Sequence, residues 1–506
     1  MSAMFVLAVL AARADEAAYL KALRTRLRLS LDAEFGGNHT AVPGRLHAMA
    51  AFKPRSLLFT LQPRYVYTVS DALGQVTHIN KCSKHLPKTL PRHFVLSAFL
   101  LHQRYVAQEN NIINLWLAAL PPLDATCLWT DEQLEELDEP RIIRRSKARR
   151  AHLANDYKTL LLPLLDECGM REDVETRWRK TKIDWAKEYA WAATVVEAYK
   201  WQFAEDFPVI VPIALRFHWR GNADIVEWGS EGDPGAAVYA SEDSGGWRSG
   251  EEIRGWSESA MVPEDLILHS GRVWEDKGAS RTMIALKAGG GDGEGLPSFA
   301  YGAEVEERRD ELLSGGNWSR SMQFEVSDDG MKERDLLNEE MMGWLRLVFA
   351  SEAEVRHATS HDDFIERKGI GSSALASLLP MSERKETESR AVSSLLKTLD
   401  TQLSKFEYSV EEDEAIIEAF QRPREPTTGR EYLAVNRRKH LAVTYRRLQK
   451  LLLMRTKEAA RKYWIDWQRK AGVVESVAVD AMGGAEAPPK KKKKKKKRAR
   501  RLEEIV

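Results

Sequence analysis

The order of strand-like and helix-like segments is the feature that most constrains the fold of this chain. Residues 52–69 are rich in β-branched and aromatic residues, and Pro54 and Pro63 break them into short predicted strands. Helical apolar periodicity then dominates residues 94–120 and 131–204. Strand character returns at 209–215, 225–228 and 236–240. A sheet interrupted by about 130 helical residues predicts one split domain.

A glycine-rich run, AGGGDGEGLP, separates this split domain from a second, helical region. It predicts a flexible linker, because it lacks the context and the Lys-Ser/Thr of a phosphate-binding loop. We expect an α+β protein in which short strands are split by a helical insert, followed by an all-α domain and a disordered basic tail. The predicted parts are an N-terminal helical flank (1–40), the split domain (41–275, insert about 85–204), a linker (276–300), the helical domain (301–470) and the tail (471–506).

The charge of the chain is unevenly distributed. The net charge is +1, yet residues 490–501 hold 11 of the 76 basic residues, which leaves 65 basic against 73 acidic residues in 1–489. The acidic body has no overall attraction for nucleic acid, whereas the tail predicts nuclear or nucleolar import, RNA or ribosome contact, or only solubility. Its basic residues are Lys490, Lys491, Lys492, Lys493, Lys494, Lys495, Lys496, Lys497, Arg498, Arg500 and Arg501.

The N-terminus carries only weak targeting signals. The apolar run 3–12 is about half of the ~20 residues that span a bilayer, and Asp15 follows it, so neither a membrane span nor secretion is predicted. Leu20, Leu23 and Leu27 share one face of a basic amphipathic helix. A mitochondrial location is therefore an alternative to the nucleus, and a cytoplasmic one is another.

Cysteine and histidine spacings predict no metal site. Cys82, Cys127 and Cys168 are too far apart in sequence for a disulfide framework or a CxxC zinc motif, which favours a reducing compartment. His357 and His361 share a helix face but lack the Glu of HExxH and a third ligand. The acidic clusters at 131–139 and 411–414 are predicted helix starts, with N-caps at Thr130 and Ser409.

Several segments over about 40–470 follow one another in a characteristic order. The split domain contributes AFKPRSLLFTLQPRYVYTVSDA, NLWLAALPP, LWTDEQLEEL, FPVIVPIALRFHWRGNADIVEW, SGEEIRGW and PEDLILHSGRVWED. The helical domain contributes RRDELLSGG, MQFEVSDDGMKERDLLNEEMMGWLRLVFA, FEYSVEEDEAIIEAF and YLAVNRRKHLAVTYRRLQKLLL. In number, order and spacing, these segments resemble SET-domain lysine methyltransferases of the Rubisco large-subunit methyltransferase class. The resemblance implies a SET fold, S-adenosylmethionine (AdoMet) as the methyl donor and a helical domain that binds a protein substrate or partner.

The cofactor positions implied by the resemblance depart from the family pattern. They fall on Gly44 and Arg45 (the glycine turn), on Glu197 and Ala198 (a Ser-Arg element), and on His218 and Trp219 (an Asn-His pair). Only one glycine of the turn is kept, because Leu46 replaces the second, and a side chain there holds the backbone away from a ligand. The positive charge of the Ser-Arg element is lost.

The tyrosine that lines the family's reaction channel is missing as well. Its position falls near Ser257 and Glu258, and no tyrosine lies between Tyr239 and Tyr301. At the position of a second tyrosine of the family, this chain has Ser270. We therefore expect that methyl transfer is lost and that the protein serves as a binding or scaffold protein. The alternative is an active, divergent methyltransferase acting on a nuclear or ribosomal protein.

Overall fold

The structure is a computed structural model of the chain, and the chain divides into two compact units. Unit 1 comprises Met1–Ala279 with Arg424–Tyr445, and unit 2 comprises Ser280–Pro423 with Arg446–Val506. The described residues are 33–35, 46–48, 51, 53–61, 66–81, 84, 86–107, 112–120, 123–178, 183–202, 208–210, 218–219, 226–229, 236–240, 246, 248, 254–255, 263–271, 273, 281–287, 302–327, 336–365, 381–421 and 430–471.

Unit 1 contains short strands in small sheets. They are β1 (Ala33–Phe35), β2 (Leu46–Ala48), β3 (Leu57–Leu61), β4 (Lys200–Gln202), β5 (Pro208–Ile210), β6 (His218–Trp219), β7 (Val226–Gly229), β8 (Ala236–Ala240) and β9 (Arg254–Gly255). The three-stranded sheet has the order β3-β8-β7, while β1-β2, β4-β5 and β6-β9 are pairs. β1 lies inside the segment predicted as a helical flank, and the rest of that flank, 1–32 and 36–40, is outside the described residues.

Strands from both sides of the helical insert pair with each other. β3 pairs antiparallel with β8, with a register shift between Leu57 and Phe59. Tyr67 and Ile210 also exchange two backbone hydrogen bonds of 3.0 Å each. These pairings across the insert confirm the predicted split domain, because the chain returns to the same sheet region after the helices.

The insert forms most of the helices of unit 1. The helices are α1 (Val69–Gln75), α2 (Thr77–Lys81), α3 (Arg92–Tyr105), α4 (Ile112–Ala119), α5 (Asp131–Glu135), α6 (Pro140–Asp156), α7 (Leu162–Asp166), α8 (Met170–Trp178), α9 (Trp185–Tyr199) and, after the last strand, α10 (Pro263–Ser270). A capping box at Thr130 starts α5, which confirms the predicted cap. Pro140 at the first turn and the Glu139 carboxylate start α6.

The insert supplies the core of unit 1. Trp116, Phe94, Phe99, Tyr189 and Tyr199 are almost completely buried. Phe94 packs on Tyr189, and Trp116 meets Tyr199 edge to face with ring centroids 5.9 Å apart. Large aromatic side chains bury much apolar area each, so these rings fix how α3, α4 and α9 pack.

Unit 2 is mainly helical. It contains α11 (Ala303–Gly315), α12 (Glu339–Phe349), α13 (Glu352–His357), α14 (Asp362–Ile365), α15 (Met381–Lys405), α16 (Val410–Gln421) and the part of α17 (Arg430–Lys470) that follows Tyr445. The Ser409 hydroxyl accepts a 3.1 Å hydrogen bond from the backbone N–H of Glu412, and the Glu412 carboxylate accepts one from the N–H of Ser409. This reciprocal pair confirms the cap predicted at Ser409.

Unit 2 also contains an antiparallel ribbon that the helical pattern did not predict. Its strands are β10 (Arg281–Lys287) and β11 (Ser321–Ser327). Ile284 faces Phe324 in the register, and both side chains are buried. Residues 322–326 alternate apolar and polar side chains, which is the period of a strand, and this short alternation was hidden inside a long helical segment.

The first part of α17 packs within unit 1. Arg437 and Arg438 both reach the buried Asp124 carboxylate, at 2.9 and 3.2 Å. Ala442 and Tyr445 complete an apolar cluster with Trp129. Thus residues 437–445 contact a charge cluster and an apolar cluster, both built from unit 1 residues. The predicted boundaries of the parts of the chain stay a prediction.

Two further observations concern the membrane and cysteine expectations. Among the residues that the structure describes, no helix has the length and apolar character needed to cross a bilayer.

Cys127 is free and buried, whereas Cys168 takes part in a disulfide. The wide sequence spacing of the cysteines did not predict this disulfide, because residues that are distant in sequence can still be neighbours in the folded chain.

Candidate functional site

Two segments of the family-like site form neighbouring strands. His218 and Trp219, the predicted cofactor positions, form β6, which pairs in parallel with β9. The register places His218 opposite Arg254 and Trp219 opposite Gly255. β9 follows the GEEI motif directly and ends two residues before Ser257. The fold thus brings together the segment of the cofactor pair and the segment that leads to the channel position.

Other predicted site residues lie outside the described residues. These are Gly44, Arg45, Ser257, Glu258 and the tail residues Lys490 to Lys497, Arg498, Arg500 and Arg501. Arg45 immediately precedes β2 in sequence. The roles predicted for these residues stay predictions.

Glu197 and Ala198, the predicted positions of the family's Ser-Arg element, lie at the end of α9. Glu197 accepts a 2.8 Å hydrogen bond from the Lys200 ammonium, and one Arg149 guanidinium nitrogen lies 3.7 Å from its other oxygen. The Glu197 side chain is 15% exposed. A carboxylate paired with two cations therefore stands at the predicted serine position of the element, and Ala198 stands where the family pattern has a guanidinium.

The electrostatics keep Glu197 ionised. Burial on its own raises the pKa of the Glu197 carboxyl, but the charge and hydrogen bond of Lys200 outweigh burial, so the pKa is lowered. Burial lowers the pKa of the neighbouring His269 imidazole, while the Glu197 carboxylate acts in the opposite direction. Glu197 is thus an anion at neutral pH, and its charge is compensated locally.

Ser270, at the second family tyrosine position, has a structural role. Its hydroxyl donates a 2.7 Å hydrogen bond to the carbonyl of Leu266, one turn back in α10. The residue is 4% exposed. Gly271 follows with φ 63°, and a Cβ there would overlap the backbone of Asp124. The C-terminal end of α10 is therefore closely packed on the backbone of Asp124.

The cluster around Glu197 was only partly visible in the sequence. Glu197 and Lys200 have the i,i+3 spacing of a helical ion pair, which is a detectable signal. Arg149 and His269 come from distant segments, α6 and α10, so no local pattern links them to Glu197. The sequence therefore indicated the loss of the arginine, but not the two cations that pair with the adjacent Glu197.

Of the paired histidines of the helical unit, His361 has contacts of another kind. The His361 ring packs edge to face on Trp318, with centroids 5.4 Å apart, and its Nε2 atom lies 3.2 Å from an Asp362 oxygen. Within the part of the chain that the structure describes, His357 and His361 belong to no group of three possible metal ligands. The structure gives His361 a packing role instead.

The donor set at the Ser-Arg position does not fit the role that the resemblance assigns to it. A guanidinium donates hydrogen bonds and carries a fixed positive charge, whereas an ionised carboxylate only accepts hydrogen bonds. The two cations next to Glu197 could have replaced that charge, but they already compensate the carboxylate. AdoMet therefore finds no substitute for the family's arginine among these residues.

Comparisons with known proteins agree with the architecture. Residues 304–453 match the family described as Rubisco LSMT substrate-binding. No curated protein matches the chain in sequence. The SET domain of LSMT bound to lysine and AdoHcy is 12% identical with a TM-score of 0.58, covering 90% of this chain and 93% of that one.

A second solved structure gives the same result. Rubisco LSMT bound to AdoMet is 12% identical with a TM-score of 0.54, and the match covers 89% of this chain and 92% of that one. These findings confirm the resemblance that the ordered sequence segments indicated. The chain has the fold of the SET-domain LSMT structures, and its residues 304–453 match the Rubisco LSMT substrate-binding family.

Proposed function

We propose that this protein is a SET-fold protein that binds another protein through its helical unit and no longer transfers methyl groups. The observation that carries the proposal is that, within the described part of the chain, no free cation replaces the family's arginine: Ala198 stands at its predicted position, and the nearby Lys200 and Arg149 both pair with the Glu197 carboxylate. The absence of a tyrosine between Tyr239 and Tyr301 also supports the loss of methyl transfer. The match of residues 304–453 to a substrate-binding family supports a protein as the binding partner.

The chemistry of methyl transfer explains why these changes matter. The reaction needs a neutral lysine amine held in line with the sulfonium methyl group in a dry channel. Lysine has a pKa of about 10.4 in water, so the site must favour its uncharged form. A chain without the channel tyrosine lacks the phenolic oxygen that lines this channel in the family.

The alternative function is an active, divergent protein-lysine methyltransferase. It is favoured by the retained pairing of β6 with β9, which keeps the two motif segments adjacent. AdoMet would be the cofactor of such an enzyme. The two proposals differ in whether the protein binds this cofactor.

Calorimetric titration of AdoMet into the full-length protein distinguishes them. We expect no saturable heat up to millimolar AdoMet, from protein whose helical circular dichroism shows that it is folded. Saturable binding in the micromolar range would overturn the proposal. It would direct the work to labelled methyl transfer onto candidate protein substrates.

The basic tail supports a second, separate proposal on location. Eight consecutive lysines and three arginines are typical of a nuclear or nucleolar import signal, and the same charges favour contact with RNA or a ribosome. The full chain should accumulate in the nucleus, and a variant with Lys490 to Lys497 replaced by serine should not. Equal distribution of the two proteins would overturn the import proposal and reopen the mitochondrial and cytoplasmic alternatives.

A further inference from the structure

Two histidines and one aspartate converge between two helices of the helical insert. His93 lies near the start of α3, while His152 and Asp156 occupy one face of α6 at i,i+4 spacing. The His93 Nε2 atom is 3.0 Å and the His152 Nε2 atom 3.4 Å from the same Asp156 oxygen, Oδ2. All three potential ligand atoms lie within 4.8 Å of one another.

The Oδ2 atom of Asp156 faces more hydrogen-bond donors than it has lone pairs. Besides the two imidazoles, the buried Tyr189 hydroxyl donates to the same Oδ2 atom at 3.4 Å. A carboxylate oxygen offers two lone pairs, so three donors compete for it. A cation between the three ligand atoms removes this competition, because each imidazole then directs a lone pair, not a proton, toward the centre of the cluster.

From this geometry we propose that His93, His152 and Asp156 bind a divalent transition metal ion of the zinc type. Bond lengths of about 2.0–2.2 Å to nitrogen and oxygen place tetrahedral ligand atoms roughly 3.3–3.6 Å apart. The observed separations of 3.0 and 3.4 Å are close to that spacing. Two imidazoles and one carboxylate suit Zn²⁺, Cu²⁺ or Ni²⁺ and disfavour Ca²⁺ and Mg²⁺, which prefer oxygen ligands.

The surroundings of the cluster fit a three-ligand site with one open position. Asp156 is buried with its side chain 7% exposed, and Tyr189 orients its carboxylate from the core side. A hydrogen bond from the second shell to a ligating carboxylate is a regular feature of metal sites. His152 is half exposed, so water can reach the fourth position. The ligands sit on two helices, so the ion would fasten α3 to α6.

The proposal is tested on the full-length protein after treatment with a chelator. Titration with ZnCl₂ in a calorimeter should give one saturable site. Co²⁺ used as a probe should develop the visible absorption of a tetrahedral ion. The variants His93→Gln and His152→Gln should each weaken Zn²⁺ binding at least roughly tenfold, the smallest effect usual for loss of even an outer partner. Zn²⁺ should raise the thermal midpoint of the wild-type protein more than that of His93→Gln or His152→Gln.

The control is His357→Gln, which removes an exposed histidine outside the cluster and should bind Zn²⁺ like the wild-type protein. Since His152 is half exposed, His152→Gln should fold even if His93→Gln does not, and circular dichroism checks both. The proposal is overturned if the wild-type protein shows no saturable Zn²⁺ binding. It is equally overturned if the folded His152→Gln variant binds Zn²⁺ with unchanged affinity.

Discussion

Gly271 occupies a backbone position that excludes any side chain. Its φ of 63° is in the left-handed region, and a Cβ atom would overlap the Asp124 carbonyl group. Gly271→Ala should lower the free energy of unfolding by at least about 2 kcal/mol, from left-handed strain and overpacking together. Gly74→Ala is the matched control, because nothing lies within 4 Å of a Cβ there and alanine favours its helix. Urea unfolding measures both, and equal midpoints would contradict the expected clash.

Glu197 should make stability depend on pH. Because its folded pKa lies below the ordinary value of 4.5, its ion pairs stabilise the protein above that pH and are lost as the pH falls through the folded pKa. Glu197→Gln should therefore be less stable by about 1 kcal/mol at pH 7 and no less stable at low pH. Unfolding midpoints between pH 3 and pH 7 test this.

Exposed Glu135 provides the comparison for Glu197. Glu135→Gln should change stability by less than about 0.5 kcal/mol at every pH, as most surface substitutions do. A Glu197→Gln variant as stable as the wild-type protein at pH 7 would show that Lys200 and Arg149 gain nothing from the carboxylate. The charge argument against cofactor binding would then lose its basis.

At the scale of elements, a buried ion cluster joins α16 to α17 inside unit 2. Arg446 donates a 2.7 Å hydrogen bond to Asp413, Lys450 also pairs with Asp413, and all three side chains are buried. The Arg446 guanidinium stacks 4.0 Å from the centre of the Tyr408 ring. Asp413→Ala should cost about 3–5 kcal/mol, because it leaves two buried cations without their anion.

A neighbouring pair on the same two helices is the control for Asp413. Glu414 accepts a 2.7 Å hydrogen bond from Arg447, but both side chains are substantially exposed. Glu414→Ala should therefore cost less than about 1 kcal/mol. Denaturant unfolding of the full chain measures both variants. Similar losses for the two would mean that burial does not govern the strength of these ion pairs.

Elements with a local signal were predictable, and those held by distant contacts were not. The caps at Thr130 and Ser409 follow from short patterns, and the structure has both. The ribbon strand Ser321–Ser327 was missed, since its alternation is short and its partner strand is 34 residues away in the register of Lys287 with Ser321. In the site, the loss of the family's arginine was predictable from Ala198, but the contact of the adjacent Glu197 with Arg149 depends on tertiary packing.

At the scale of the whole molecule, the chain has the fold of the LSMT structures at 12% sequence identity. Strands pair across the helical insert, and residues 304–453 match the substrate-binding family. Apolar patterning and total core volume specify a fold, and many different side chains satisfy them. Site chemistry is less tolerant, since it depends on particular groups at particular positions. A chain can therefore keep both units while its cofactor positions change.

The charge asymmetry of the chain gives the last prediction. Residues 490–501 carry 11 basic residues, while 1–489 carry 65 basic against 73 acidic residues, so binding to RNA should depend on the tail alone. Each phosphate neutralised on a single strand contributes a slope of about −0.7 in log K against log salt, so contacts by most of the tail give roughly −5 to −8. Replacing Lys490 to Lys497 with serine should leave a slope of about −2, from the three remaining arginines. Fluorescence anisotropy with a labelled single-stranded RNA at several salt concentrations measures both slopes, and an unchanged slope would place the RNA contact on the folded body.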